Sequence, residues 1–234
     1  MSLSTPPVQN RLLTALTSEV KAHLLPNLEL VALPFKEVLY QPRNPIEYVY
    51  FPNHGVVSLL TMLEDGILAE VGLVGDEGMV GIAVFLGVET TNTEAIVQVP
   101  GEAMRMKTDV FKNLVKPDSP LYSLLLRYTH ALMVQISQSV ACISHHSVEE
   151  RCCRWLLMTC DRAHSDQFPI THDFLSQMLG VRRASVSVVA GMLQKAGLIR
   201  YSRGQMTILD RQGLEAFSCE CYRCVKEEED RLYA

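Results

Sequence analysis

The chain has 234 residues, 48% hydrophobic and 20% charged, with a formal net charge of −5, an ordinary balance for a soluble protein able to bury one large core or two small ones. No apolar run reaches the length of about 18 residues that a bilayer span requires, and the first ten residues lack the basic and apolar regions of a secretory leader. A cytoplasmic location is expected, where the seven cysteines stay reduced.

Helical periodicity predicts a helix over residues 11–25. From about residue 31 to 106, Pro34, Pro42, Pro45, Pro52 and frequent glycines punctuate short apolar runs at 48–51, 56–62, 68–71 and 95–99. Many short strands at near-regular spacing predict a β-sandwich or jelly roll. A helical pattern returns near 108–114. Residues 119–145 then read as one long helix in which Arg127 is the sole Asp, Glu, Lys or Arg. So few charges mean that more than one face is covered. One face is expected on the β-domain and another on the same helix of a second subunit, because a twofold dimer is the commonest way to bury such a surface. Ser147-Val-Glu-Glu150 spells a capping box. It opens a further helix through Cys152, Trp155, Leu156 and Met158, which places a boundary near residues 144–147.

Residues 171–193 read as a helix-turn-helix. Thr171 is a good N-cap, Asp173 sits where the dipole favours negative charge, and Phe174, Leu175, Met178 and Leu179 form the buried stripe. Gly180 breaks the run at the turn. Arg182 and Arg183 open a second helix whose inner stripe is Val186, Val189, Ala190 and Leu193. After Gly197, runs at 198–201 and 205–209 flank Ser202-Arg203-Gly204, a hairpin of the wing type with Arg203 at its tip as a candidate phosphate contact. Charge follows this division. Residues 1–118 carry 8 basic and 14 acidic side chains, and residues 171–211 carry 6 and 2. Phosphate neutralisation needs such a local excess, not a basic whole protein.

A β-roll, a long helix and a winged helix-turn-helix, in that order, resemble the Crp/Fnr family of bacterial transcription regulators. The helix-turn-helix and the phrase Glu70-Val-Gly-Leu-Val-Gly-Asp-Glu-Gly-Met-Val-Gly81 carry the resemblance. It implies an α+β fold with a cyclic-nucleotide-binding-like effector domain at 1–118, a dimerisation helix at 119–146 and a winged DNA-binding domain at 147–234. It further implies a homodimer on palindromic double-stranded DNA, an unknown small-molecule effector in the roll, and RNA polymerase as a further partner. Arg183 falls where family members carry an arginine that reads guanine, a sound bidentate role. Arg182, Ser185 and Ser187 are candidates for phosphate or base contact, and Thr171 and His172 for the DNA backbone. Ala184 and Val188 replace the Glu and Arg of the cyclic-AMP receptor helix, so that receptor's operator does not transfer.

Cyclic-nucleotide-binding members hold the phosphate with an adjacent Arg–Ser or Arg–Thr pair. Aligning Gly78-Met-Val-Gly81 puts Thr93-Glu94 at that pair, and no lysine or arginine occurs between Glu64 and Arg105. A carboxylate there repels a phosphate. Gly78, Gly81, Thr93 and Glu94 are therefore candidates for an effector pocket whose ligand is neither cyclic AMP nor cyclic GMP.

Cys219-Glu-Cys-Tyr-Arg-Cys224 is the competing chemistry. Three thiols in six residues suit metal or redox sensing; the favoured expectation is reduced thiols packed in a helix, with no metal and no cofactor. His23, His54, His130, His145 and His146 show no haem-ligand pattern. No G-x-S-x-G elbow, Walker loop or H-E-x-x-H helix occurs, which argues against an enzyme. A small-molecule-binding module whose winged domain meets protein partners rather than DNA remains the other class.

Overall fold

The computed structural model describes residues 8–64, 66 and 68–233. Most of the segment read for a leader, residues 1–7, lies outside them. Residues 11–25 do not form one helix. Asn10 caps a single turn, α1 (Arg11–Thr14), and the Thr17 side chain caps a second helix, α2 (Ser18–Leu24), followed by a 3₁₀ turn at Leu25–Asn27. A good N-cap in the middle of an apolar periodicity restarts the helix rather than extending it.

The strands are fewer and longer than the punctuation predicts. They are β1 (Glu29–Leu33), β2 (Val38–Tyr40), β3 (Tyr48–Met62), β4 (Leu68–Val74) and β5 (Thr93–Lys107). All pair antiparallel in the order β1-β5-β3-β4, with β2 also on β5. β3 runs straight through Pro52 and Gly55, which the sequence pattern marks as breaks. The β3–β5 register shifts three times between Pro52 and Val57, and such bulges bend a strand without ending it. Gly55 adopts φ +93°, and a Cβ there would stand 2.8 Å from the Val99 carbonyl oxygen, so only glycine lets the two long strands cross so closely. The inner face of this sheet, with α3 (Ile82–Phe85) and α4 (Thr108–Leu114), encloses the first core around Phe51, Phe111, Val57 and Val97.

The long helix is α5 (Pro120–His145), capped by Ser119. Leu121, Leu124, Leu125 and Tyr128 enter the first core. Gln135 is buried lower on α5. Its Oε1 accepts from the Leu73 amide at 2.6 Å and its Nε2 donates to the Leu73 carbonyl at 3.1 Å. A side-chain amide thereby closes the otherwise open edge of β4. Ser147 and Glu150 form the complete reciprocal capping box at the start of α6 (Val148–Ala163).

A second core lies between α6 and the rest of the C-terminal half: α7 (His172–Leu179), α8 (Arg183–Lys195), α9 (Arg211–Phe217) and a three-stranded sheet of β6 (Gln167–Pro169), β7 (Ile199–Ser202) and β8 (Gln205–Ile208), ordered β6-β8-β7. β6 and α9 were not predicted; three residues with a terminal proline give little periodicity to read. This core also takes in Val56, Leu60, Leu73 and Val99 from the outer face of the roll, so α6 covers that face. The last helix, α10 (Cys221–Arg231), lies along α5, and Leu232 enters the first core. Cys219 and Glu220 precede α10. The prediction of one helix through Cys219, Cys221 and Cys224 is corrected accordingly.

Candidate nucleic-acid interface

Thr171, Gly180 and the stripe of α7 fold as their chemistry dictates. The Thr171 hydroxyl accepts from the Phe174 amide at 3.1 Å, and Gly180 takes the left-handed conformation at φ +61°. Phe174, Leu175, Met178 and Leu179 are buried against Val186, Val189 and Leu193 of α8. The opposite side of α8 carries Arg182, Arg183, Ala184, Ser187 and Val188, all exposed, with Ser185 half-buried beside them. Val188 is 69% exposed, so this apolar side chain does not pack within the chain. Arg203 and Gly204 both have positive φ, +51° and +78°, the signature of a two-residue hairpin turn that presents Arg203 to solvent.

Three side chains have internal partners that the sequence did not disclose. Arg183 Nε lies 3.0 Å from Asp173 Oδ1, in a pair open to solvent on both sides. His172 Nδ1 is 3.0 Å from Ser187 Oγ, which itself donates to the Arg183 carbonyl. The His172 ring also stacks on Tyr201 of the wing, with centroids 4.4 Å apart. Burial, then the neighbouring Arg183 charge, lower the His172 pKa. The His172 ring thus ties α7, α8 and the wing into one unit, and Gln194 Oε1 adds to it by accepting from the Tyr201 amide. The exposed cations Arg182, Arg183, Lys195, Arg200 and Arg203 all belong to this unit.

Residues 150–217 match the profile of the Crp-like helix-turn-helix domain, and residues 30–118 match that of the cyclic nucleotide-binding domain. The chain belongs to the Crp/Fnr family of DNA-binding transcription regulators. A global nitrogen regulator from Synechocystis is 20% identical over 210 residues, covering 86% of this chain and 92% of that protein. The corresponding regulator from Nostoc is 21% identical over 182 residues, covering 74% and 81%. Among solved structures, FixK2 from Bradyrhizobium japonicum superposes with a TM-score of 0.69 at 17% identity, covering 82% of this chain and 98% of that one. A CRP-family regulator from Thermus thermophilus gives 0.66 at 21% identity, covering 80% and 96%. The relatives matched are regulators, and among the described residues no helix is long and apolar enough to cross a membrane.

In this Crp/Fnr regulator the segment expected to hold an effector meets the C-terminal half. A Cβ on Gly78 would stand 2.5 Å from the Tyr128 ring of α5, whose hydroxyl donates to the Met79 carbonyl. Gly81, at φ +92°, packs against Val49 and starts α3. Thr93 shares a hydrogen bond with Thr91, on the face of β5 that carries Ala95 and Val97 into the core. Glu94 pairs with Leu60 in register and so faces the other way. Thr93 and Glu94 therefore do not line one pocket; strand alternation separates them. The two residues just before Gly78, Asp76 and Glu77, reach α6. His164 Nε2 lies 2.9 Å from Asp76 Oδ2, and Arg162 Nε donates to Glu77 Oε1 at 2.9 Å while its Nη2 donates to Glu229 of α10.

Proposed function

We propose that the chain acts as a homodimer on a palindromic DNA site, with residues 147–234 as the DNA-binding part, 119–146 as the dimer helix and 1–118 as the regulatory roll. The observation that carries the reading is the outer face of α8. Two arginines and two serines stand at its exposed start on a rigid helix-turn-helix, with the Arg203 turn beside it, in the one region of positive excess. A helix start in the major groove places Arg183 for bidentate contact with guanine, and Val188 for contact with a thymine methyl. Arg182, Ser185, Ser187 and Arg203 are assigned to phosphate or base contact. Thr171 and His172 lie at the start of α7, where the helix-turn-helix crosses the backbone.

The dimer rests on a separate observation. Leu126, Met133 and Val140 recur every seven residues on α5 and are 50%, 62% and 62% exposed in the single chain. With His130, Ser137 and Ser144 interleaved, they make a seam of alternating four- and three-residue steps, the geometry of a two-stranded coiled coil. The roll is assigned a regulatory input other than cyclic AMP or cyclic GMP, because the region from 65 to 104 offers a phosphate no cation. RNA polymerase is the further partner expected of such a regulator, and no enzymatic step is assigned.

Titrating the purified protein with a selected duplex and a scrambled one at rising salt tests the DNA reading. Affinity should fall steeply with salt on both and remain higher on the selected site. Salt-insensitive binding, or none, favours protein partners instead. Sedimentation of the wild type against Met133→Lys tests the seam, which predicts a dimer and a monomer respectively.

A further inference from the structure

Cys142 and His146 stand four residues apart at the end of α5, on one face, with His146 as the C-cap. Cys219 and Cys221 flank Glu220 at the start of α10. The fold brings these two pairs together across 77 residues of sequence. Cys142 Sγ is 3.5 Å from Cys219 Sγ, and Cys221 Sγ is 3.5 Å from His146 Nδ1. All four donor atoms lie within 4.8 Å of one another. A tetrahedral zinc ion with Zn–S of about 2.3 Å and Zn–N of about 2.0–2.1 Å has ligand–ligand edges of about 3.5–3.8 Å. The Cys142–Cys219 and Cys221–His146 edges already have that length.

We propose that Cys142, His146, Cys219 and Cys221 form a structural zinc site that fastens the end of α5 to the start of α10.

The surroundings fit a metal better than packed thiols. The three cysteines are buried, at 2%, 4% and 0% exposure, yet they form a cluster of their own, joined to neither large core. Polar side chains stand beside them. His146 Nε2 lies 3.2 Å from Glu220 Oε2, which leaves Nδ1 turned to the sulfurs, the carboxylate–histidine arrangement that orients metal-bound imidazole. Gln138 Nε2 donates to Cys221 Sγ at 3.1 Å, as to a thiolate acceptor. Three thiolates and one divalent ion leave a single negative charge. Arg154 supplies a cation that acts on Cys142, and its Nη1 is buried with no hydrogen-bond partner among the described residues. Thiolates with one imidazole in so tight a group select a single tetrahedral ion; a four-iron cluster spreads its ligands wider. Cys224, one turn along α10 and only half-buried, is not among the donors.

The test is metal analysis of the full chain, purified reduced and without chelators from zinc-supplemented culture, with cobalt(II) as the spectroscopic probe. Equimolar zinc is expected, and cobalt(II) should give the intense visible bands of a tetrahedral thiolate site. Cys142→Ser and Cys221→Ser should lose both signals, and Cys224→Ser should keep both. Iron with inorganic sulfide in place of zinc, a Cys142–Cys219 disulfide in the freshly reduced chain, or zinc retained by Cys142→Ser would overturn the proposal. If the serine variants do not fold, the wild type decides: no thiolate–cobalt bands from the reduced chain also overturns it.

Discussion

Arg162 on α6 and Glu77 in the roll form a buried ion pair, at 3% and 5% side-chain exposure, that joins the two halves of the chain. Glu229 of α10 closes the group from the other side. Burial alone would lower the guanidinium pKa; the Glu229 and Glu77 carboxylates more than reverse it. A Cβ on Gly75 would stand 2.6 Å from the Arg162 side chain, so the glycine before Asp76 makes room for the clasp. Arg162→Ala would strand two buried carboxylates. A loss of about 3–5 kcal/mol is expected, read by urea unfolding, and a loss below ~1 kcal/mol would contradict the burial of the group.

Glu70 gives the same seam a pH dependence. Ser58 Oγ lies 2.6 Å from Gln98 Oε1 and 2.8 Å from Glu70 Oε2, and one hydroxyl proton cannot serve both acceptors. Gln98 is held in that orientation because its Nε2 donates to Thr159 of α6. A protonated Glu70 resolves the conflict by donating to Ser58, while its Oε1 accepts from Trp155 Nε1. Burial pushes the Glu70 pKa up to about 7, against the lowering hydrogen bonds of Ser58 and Trp155. The native state thus holds more protons than the unfolded chain between pH 4.5 and about 7. Stability contributed by this group is full below pH 4.5, falls through that window and is lost above it. The difference in unfolding free energy between wild type and Glu70→Gln, followed from pH 4.5 to well above the raised pKa, should show that slope. A flat difference would mean that Glu70 is ionised in the native state.

Arg183 and Asp173 supply a test of base reading. Arg183→Ala should reduce discrimination at one guanine of each half-site by roughly 1–3 kcal/mol. Asp173→Asn releases Arg183 from its exposed partner and removes a charge that repels phosphate. It should tighten binding to both selected and scrambled duplexes. Equal weakening of both duplexes by Arg183→Ala would assign Arg183 to phosphate.

Gly78 separates packing from ligand binding. Its hydrogen faces the Tyr128 ring, so Gly78→Ala should destabilise the chain by roughly 1–3 kcal/mol through overpacking, with no added ligand. An unchanged melting temperature would return Gly78 to the effector candidates.

What could be read from the sequence was local. Ser147 and Glu150 cap one helix end within four residues, and Gly180 and Gly204 sit where short-range sterics demand positive φ. The long apolar helix needed only its own periodicity. The clasp and the thiol cluster were hidden because their members are distant in sequence. Glu77 meets Arg162 and Cys142 meets Cys219 only once two cores have formed, and no periodicity links them. The strand breaks were misplaced for a related reason. Pro52 and Gly55 look like punctuation alone, yet beside Val99 and Gly101 they are the crossing point of two continuous strands.

Leu232 and Tyr233 lie in the keeping of the first half: one fills its core, and the other donates its hydroxyl proton to the Glu77 carbonyl at 2.6 Å. During synthesis the roll must therefore wait, with part of its core open, while the whole helix-turn-helix and wing are made. The N-terminal core is finished by residues that leave the ribosome after the DNA-contacting ones, so a chain stalled after α9 would expose an unfilled apolar site, a natural mark for chaperones and proteases.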